Sequence, residues 1–315
     1  MRQLKHLILN MLHIISVIVL ISFLDGCKNV SKNDAGRPNK YNNCSIVCEN
    51  SKCSDLGIKQ LKKKIRFTRA VNSRGFALVI GINNYNNKLK GLNYSVREAE
   101  EIERTLDGND YNTQLLIDSE ASKENIFNCL KCISCKAKDS DIFLFYFSGH
   151  GNTFENEVDF AIMPYQNNEF ERVESISNME LIEQFYQIKT SNKIMIIDAC
   201  YATHIGNYLY DPVKYYAYNL KSQGFGFLCM FTEKVKDNGI FSSILIEGLK
   251  GEADRNDKII KIGNGDNIVT FFETINYVNK EYENRKLNLE GIPNNIIKFL
   301  VYGSGDIALT LANKK

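Results

Sequence analysis

The sequence predicts an α/β fold with a mostly parallel sheet covered by helices on both faces, and two observations predict it. From Gly75 onward, short β-rich apolar runs alternate with segments of helical period, the pattern of a strand–helix–strand chain. Two of those runs, within DIFLFYFSGHG (Asp141 to Gly151) and KIMIIDACYA (Lys193 to Ala202), end abruptly in a small or reactive residue. In open α/β sheets the reactive site lies beyond the carboxyl ends of the strands, which is where both strings deliver their polar residues.

The elements follow in order. Ala77 to Ile82 reads as a buried strand, and Leu92 to Leu106 as a helix with Leu92, Val96, Ala99, Ile102 and Leu106 on its apolar face. Gln114 to Ile117 is a second strand. Ser122 is placed to cap a helix carrying Ile126, Leu130 and Ile133 inward. Asp141 to Phe147 is a central strand and Asp159 to Met163 an adjoining extended segment. Ser177 with Glu180 spells a capping box for a helix reaching about Ile188. Lys193 to Ala199 is a further strand. After a loose segment from Tyr201 to Gln223 come a strand (Phe225 to Phe231), two helices (Gly239 to Leu249 and Val269 to about Glu283) and a last strand (Ile296 to Tyr302). Six strands with interleaved helices make one domain over residues 75–315.

Composition narrows the function classes. The chain has 315 residues, of which 44% are hydrophobic and 11% aromatic, enough for a substantial core. A net charge of +2 gives no bulk argument for nucleic acid. The start is distinct. Arg2 and Lys5 precede an apolar stretch from Leu7 to Leu24, which reads as an export signal, with a retained anchor helix and a buried helix as the alternatives. It closes on Leu24-Asp25-Gly26-Cys27, similar to a bacterial lipoprotein cleavage box in which the cysteine, here Cys27, is lipidated. Residues 27–74 read as a flexible tether rich in Asn, Lys and Ser. Cys44, Cys48 and Cys53 cluster there with no histidine nearby, and from Lys59 to Arg74 basic residues run without an acid, open to solvent or to anionic lipid headgroups. Cys129, Cys132 and Cys135 share one helix surface and read as small buried hydrophobes.

The chemistry rests on His150 and Cys200. A thiol and an imidazole at the ends of two strands of one sheet make a nucleophile and its proton carrier. Gly149 and Gly151 let the backbone turn sharply at the histidine, and the N–H groups of Gly151 and Cys200 are candidates for holding an oxyanion. Asp198 lies on the same face of its strand as the thiol, because side chains alternate. Asp254-Arg255-Asn256-Asp257 is similar to a calcium loop but lacks the later glutamate, so a polar turn is expected.

These strings, with FALVIGINNY, LNYSVREAEEIERTL, GIFSSILIEGLKGEAD, IPNN and GDIALT, resemble the caspase-like cysteine peptidases, and among them the metacaspases and their bacterial relatives. The resemblance runs from Gly75 to about Leu311. It implies a caspase-like fold, a His150–Cys200 dyad with Gly151 in the oxyanion hole, and a large-subunit equivalent ending near Gln223. It also implies a substrate pocket of Asp198, Glu98 and Ser148 that favours Arg or Lys before the scissile bond, since Leu92 stands near where caspases carry an aspartate-binding arginine. Glu98 remains open to a second reading as a solvated helix charge. Tyr201-Ala202-Thr203-His204 departs from the family's usual Ser-Gly after the nucleophile, and Lys214 and Lys221 are candidate self-cleavage points. No cofactor is expected. Calcium activation, common among metacaspases, is neither supported nor excluded. The expected partners are a polypeptide substrate and, through the N-terminus, a membrane, with the chain a monomer or weak dimer outside the cytoplasm. The rival readings are an inactive binding or signalling module on the same fold and a small-molecule amidase.

Overall fold

Strand β1 (Gly75–Gly81) is the hub of the sheet: β2 (Tyr111–Ile117) pairs on one side of it and β3 (Ile142–Ser148) on the other, and β7 (Asn192–Asp198) pairs beyond β3. All three pairings are parallel, giving the order β2-β1-β3-β7. The structure, a computed structural model, describes residues 74–85, 89–153, 160–166, 174–190, 192–200, 202, 239–255, 263–286 and 307–312. The expected strands at Phe225–Phe231 and Ile296–Tyr302 lie outside the described residues, so four of the six strands expected can be compared, and all four are parallel. Also outside are the apolar run Leu7–Leu24, Cys27, the tether up to residue 73, and His204, Lys214 and Lys221. Among the described residues, no helix is long and apolar enough to cross a membrane.

The two faces of the sheet are covered by different helices. Ala77, Val79, Leu144, Tyr146, Ile194 and Ile196 share one face by register, and they form one buried cluster with α1 (Ser95–Asp107), α4 (Ile240–Leu249) and α5 (Phe271–Lys286). On the opposite face Phe143 and Phe145 pack on Phe185, with ring centroids 5.1 and 5.7 Å away. Phe185 belongs to α3 (Asn178–Gln187), which packs beside α2 (Lys123–Lys136). Full burial of each such aromatic contributes about 1.5–3 kcal/mol, so residues facing both ways fix the sheet between its two helix layers.

The expected caps are present. Ser122 Oγ accepts from the Asn125 N–H at the start of α2, and Ser177 and Glu180 exchange side chain-to-backbone bonds at the start of α3. Lys123 Nζ donates to Glu180 Oε1 at 2.7 Å, joining the two starts.

Element boundaries differ from expectation where other partners take up the backbone. The helix expected from Leu92 begins at Ser95, because the Leu92 N–H donates to Asn83 O at 2.9 Å and closes the loop after β1. The helix expected from Val269 begins at Phe271. Val269 instead belongs to β8 (Ile268–Thr270), paired antiparallel with β9 (Ala308–Leu311), a strand that periodicity did not single out. Thr270 and Glu273 exchange side chain-to-backbone bonds that start α5 there. The segment near Asp159 to Met163 contributes β5 (Phe160–Ile162), which stands outside the parallel sheet. It forms a small antiparallel sheet with β4 (Gly151–Thr153) and β6 (Ile176–Ser177).

Candidate active site

Parallel strands in register end together. Ser148 of β3 is level with Asp198 of β7, and the Gly149 N–H extends the pairing one step by donating to Asp198 O at 3.2 Å. His150 and Cys200 each follow two residues after a member of that pair. The chain then turns at Cys200, with the Ala202 N–H donating to Ala199 O, and runs into β4 after His150. A Cβ placed on Gly151 would lie 2.3 Å from the Cys200 carbonyl oxygen and 2.6 Å from the Phe160 ring. The backbone on either side of His150 therefore meets the Asp198–Cys200 segment, and both side chains are half-buried.

The imidazole is held by hydrogen bonding. His150 Nε2 lies 2.6 Å from the carbonyl oxygen of Lys90. A carbonyl only accepts, so Nε2 carries the proton and, in the neutral ring, Nδ1 is the basic nitrogen. The His150 N–H donates to the Tyr85 hydroxyl at 2.8 Å, and the Tyr85 and His150 rings lie 4.8 Å apart between centroids. Burial pushes the Tyr85 hydroxyl well above its ordinary value, the bond from His150 opposes this, and charge on Asp118 and on Cys200 when ionised adds to it. Asp118 sets this loop from below: its carboxylate accepts from the N–H groups of Asn83 and Asn84 and from Asn84 Nδ2.

The Gly151 amide follows from ladder geometry. The Met163 N–H donates to His150 O at 3.0 Å, while Gly151 is paired with Ile162. Donors alternate along an antiparallel strand, so the N–H of Gly151 faces away from β5.

The acidic residues expected in the pocket converge. Ser148, Asp198 and Tyr146 share the sheet face covered by α1 and α4. Glu98 on α1 is only 5% exposed, so the alternative of a solvated helix charge is excluded, and it accepts from Ser148 Oγ at 3.3 Å. Ser242 Oγ on α4 donates to Asp198 Oδ2 at 2.7 Å and lies 2.8 Å from the Tyr146 hydroxyl. A serine hydroxyl has one proton, and it is directed at Asp198. Tyr146 is therefore the donor to Ser242, giving a directed chain Tyr146 to Ser242 to Asp198. Burial pushes the Tyr146 hydroxyl well above its ordinary value, with Glu98 and Asp198 adding to it. One phenol thus senses both carboxylates.

Tyr85, the Lys90 carbonyl, Tyr146 and Ser242 escaped sequence reasoning. Tyr85 ends the FALVIGINNY string and Ser242 lies in GIFSSILIEGLKGEAD, but nothing in either string says what the side chain meets. Asp254 is a buried turn residue: its carboxylate accepts from the N–H groups of Gly265 and Asn267 at 2.8 Å each, as expected of a polar turn. Cys129 and Cys132 are buried and Cys135 is exposed, so core packing holds for two of the three.

The family model described as caspase domain matches residues 74–277. A crystal structure of protein GSU0716 from Geobacter sulfurreducens is similar in fold, with a TM-score of 0.50 and 14% identity, over 76% of this chain and 100% of that one. No curated protein sequence matches the chain significantly.

Proposed function

The chain belongs to the caspase family, whose domain it carries over residues 74–277, and on that premise we propose that it is a cysteine endopeptidase with Cys200 as nucleophile and His150 as proton carrier, cleaving after Arg or Lys. The observation that supports this reading is the level register of Ser148 with Asp198, each two residues before His150 or Cys200 on its own strand.

The reaction follows from the hydrogen bonds. With Nε2–H held by Lys90 O, Nδ1 takes the Cys200 proton, and the thiolate attacks the scissile carbonyl carbon. The carbonyl oxygen becomes an oxyanion facing the amides of Gly151 and Cys200. As the C–N bond breaks, Nδ1–H protonates the leaving amine and a thioester remains. Water then gives its proton to Nδ1, adds to the thioester carbonyl, and releases the acid and the thiol.

Specificity rests on charge. Asp198 is half-buried beside the nucleophile with Glu98 buried behind it, and a cationic side chain entering there meets two carboxylates in a partly desolvated site. The decisive experiment incubates the chain with fluorogenic peptides carrying Arg, Lys, Asp or Leu before the cleaved bond, with and without calcium. Cleavage after Arg and Lys supports the reading. Cleavage confined to Asp removes the pocket assignment, and no cleavage of any peptide removes the endopeptidase.

The N-terminal apolar run and Cys27 support a second part of the proposal: an exported enzyme tethered by lipid at Cys27. Metabolic labelling with a fatty acid tests it, since label retained in Cys27→Ser would exclude attachment at that residue.

A further inference from the structure

His150 begins the hairpin between β4 and β5, and its ladder bonds are incomplete in an unusual way. The Met163 N–H donates to His150 O at 3.0 Å. In a regular antiparallel pair the reciprocal bond would run from the His150 N–H to Met163 O. Instead the Tyr85 hydroxyl occupies that position: it accepts from the His150 N–H at 2.8 Å and donates to Met163 O at 3.3 Å. One side chain from the loop after β1 is thus inserted as a rung of another sheet.

The insertion has a steric counterpart. A Cβ on Gly149 would lie 2.6 Å from the Tyr85 hydroxyl oxygen, so the first glycine of the Gly-His-Gly string leaves room for the tyrosine. The aromatic ring then lies against the imidazole, with centroids 4.8 Å apart and planes at 52°. The same loop supplies the Lys90 carbonyl to Nε2. His150 is therefore gripped at its main chain, its ring face and one ring nitrogen by a single loop, which Asn83 closes through Leu92 and Asp118 braces.

We infer that Tyr85 is a positioning residue for His150: its hydroxyl sets the height of the histidine main chain above β5, and its ring sets the plane of the imidazole against Cys200. This rests on the reading of His150 as the proton carrier. Because its hydroxyl stays protonated (burial holds it far above neutrality), Tyr85 donates to Met163 O throughout the working range.

The test compares Tyr85→Phe, which removes only the hydroxyl, with Tyr85→Leu, which removes the ring as well. The expected result for Tyr85→Phe is a fall in kcat of roughly ten- to a hundredfold with KM little changed, the size of effect that small misplacement of a catalytic group produces. Tyr85→Leu falls further, and Phe restores part of the loss. The ring resonance of His150, one of four histidines in the chain, is followed by NMR in the same proteins and shifts or broadens in Tyr85→Phe. The inference is overturned if Tyr85→Phe keeps both kcat and the His150 resonance, if KM alone changes, or if Tyr85→Phe does not fold, which would make the residue structural. A wild-type protein without peptidase activity counts against the proposed function, while the His150 resonance still decides the role of Tyr85.

Discussion

Ser148 and Asp198 stand level on adjacent parallel strands, and the chemistry proposed for this chain grows from that pairing. Each strand carries one more small residue, Gly149 or Ala199, before His150 or Cys200. Equal lengths of chain therefore separate the last rung of the sheet from the imidazole and from the thiol. An insertion of one residue after either strand would break the equality without changing either side chain.

Gly151→Ala tests how tightly the two tips are packed. The added methyl would fall 2.3 Å from the Cys200 carbonyl oxygen, a contact only backbone movement can relieve. Activity is expected to drop by a factor on the order of 10² with the circular dichroism of the sheet intact. Near wild-type kcat/KM in this variant would show that the Cys200 turn is looser than described.

Ser242→Ala removes the hydroxyl that donates to Asp198. A hydrogen bond to a charged group contributes about 1.5–3 kcal/mol, so KM for an Arg peptide is expected to rise roughly tenfold or more at little cost to kcat. Tyr146→Phe, one link further along the chain, gives a smaller change in the same direction. Steady-state kinetics with matched Arg and Leu peptides check this: an equal loss for both peptides would mean that Ser242 supports the fold rather than the pocket.

Lys193 makes stability depend on pH at the far end of the sheet. It is 1% exposed on β7, and burial lowers its ammonium from an ordinary value of 10.5 to about 8, with the charge of Asp139 opposing. Between those two values the unfolded chain binds a proton that the folded chain has released. Stability therefore rises as pH increases from about 8 toward 10.5, by about 3 kcal/mol in all. Chemical denaturation across this range should show the rise in wild type and its loss in Lys193→Met. The same slope in both proteins would assign it to another group.

The central strands were legible because they are apolar on both faces, as a parallel sheet between two helix layers requires; Ile142–Ser148 and Asn192–Asp198 lie within a residue of their expected bounds. His150, Cys200, Asp198 and Glu98 were legible as candidates because their residue types are rare at strand ends or match a family string. Less legible was everything set by long-range contact. Leu92 has the period of a helix, yet its N–H is used by Asn83, a side-by-side arrangement that no periodicity encodes. Ile268–Thr270 is too short to announce itself as a strand and exists only because Ala308–Leu311 pairs with it. Tyr85, Tyr146 and Ser242 are ordinary residue types whose importance lies wholly in the partner each one meets.

The most direct measurement is covalent labelling by a peptidyl chloromethyl ketone ending in Arg, followed by mass mapping of the modified residue. The account predicts one adduct, on the sulfur of Cys200, absent in Cys200→Ala and formed far more slowly in His150→Ala. An adduct on Cys129, Cys132 or Cys135 instead, or equal labelling of Cys200 in wild type and His150→Ala, would contradict a thiol activated by that imidazole.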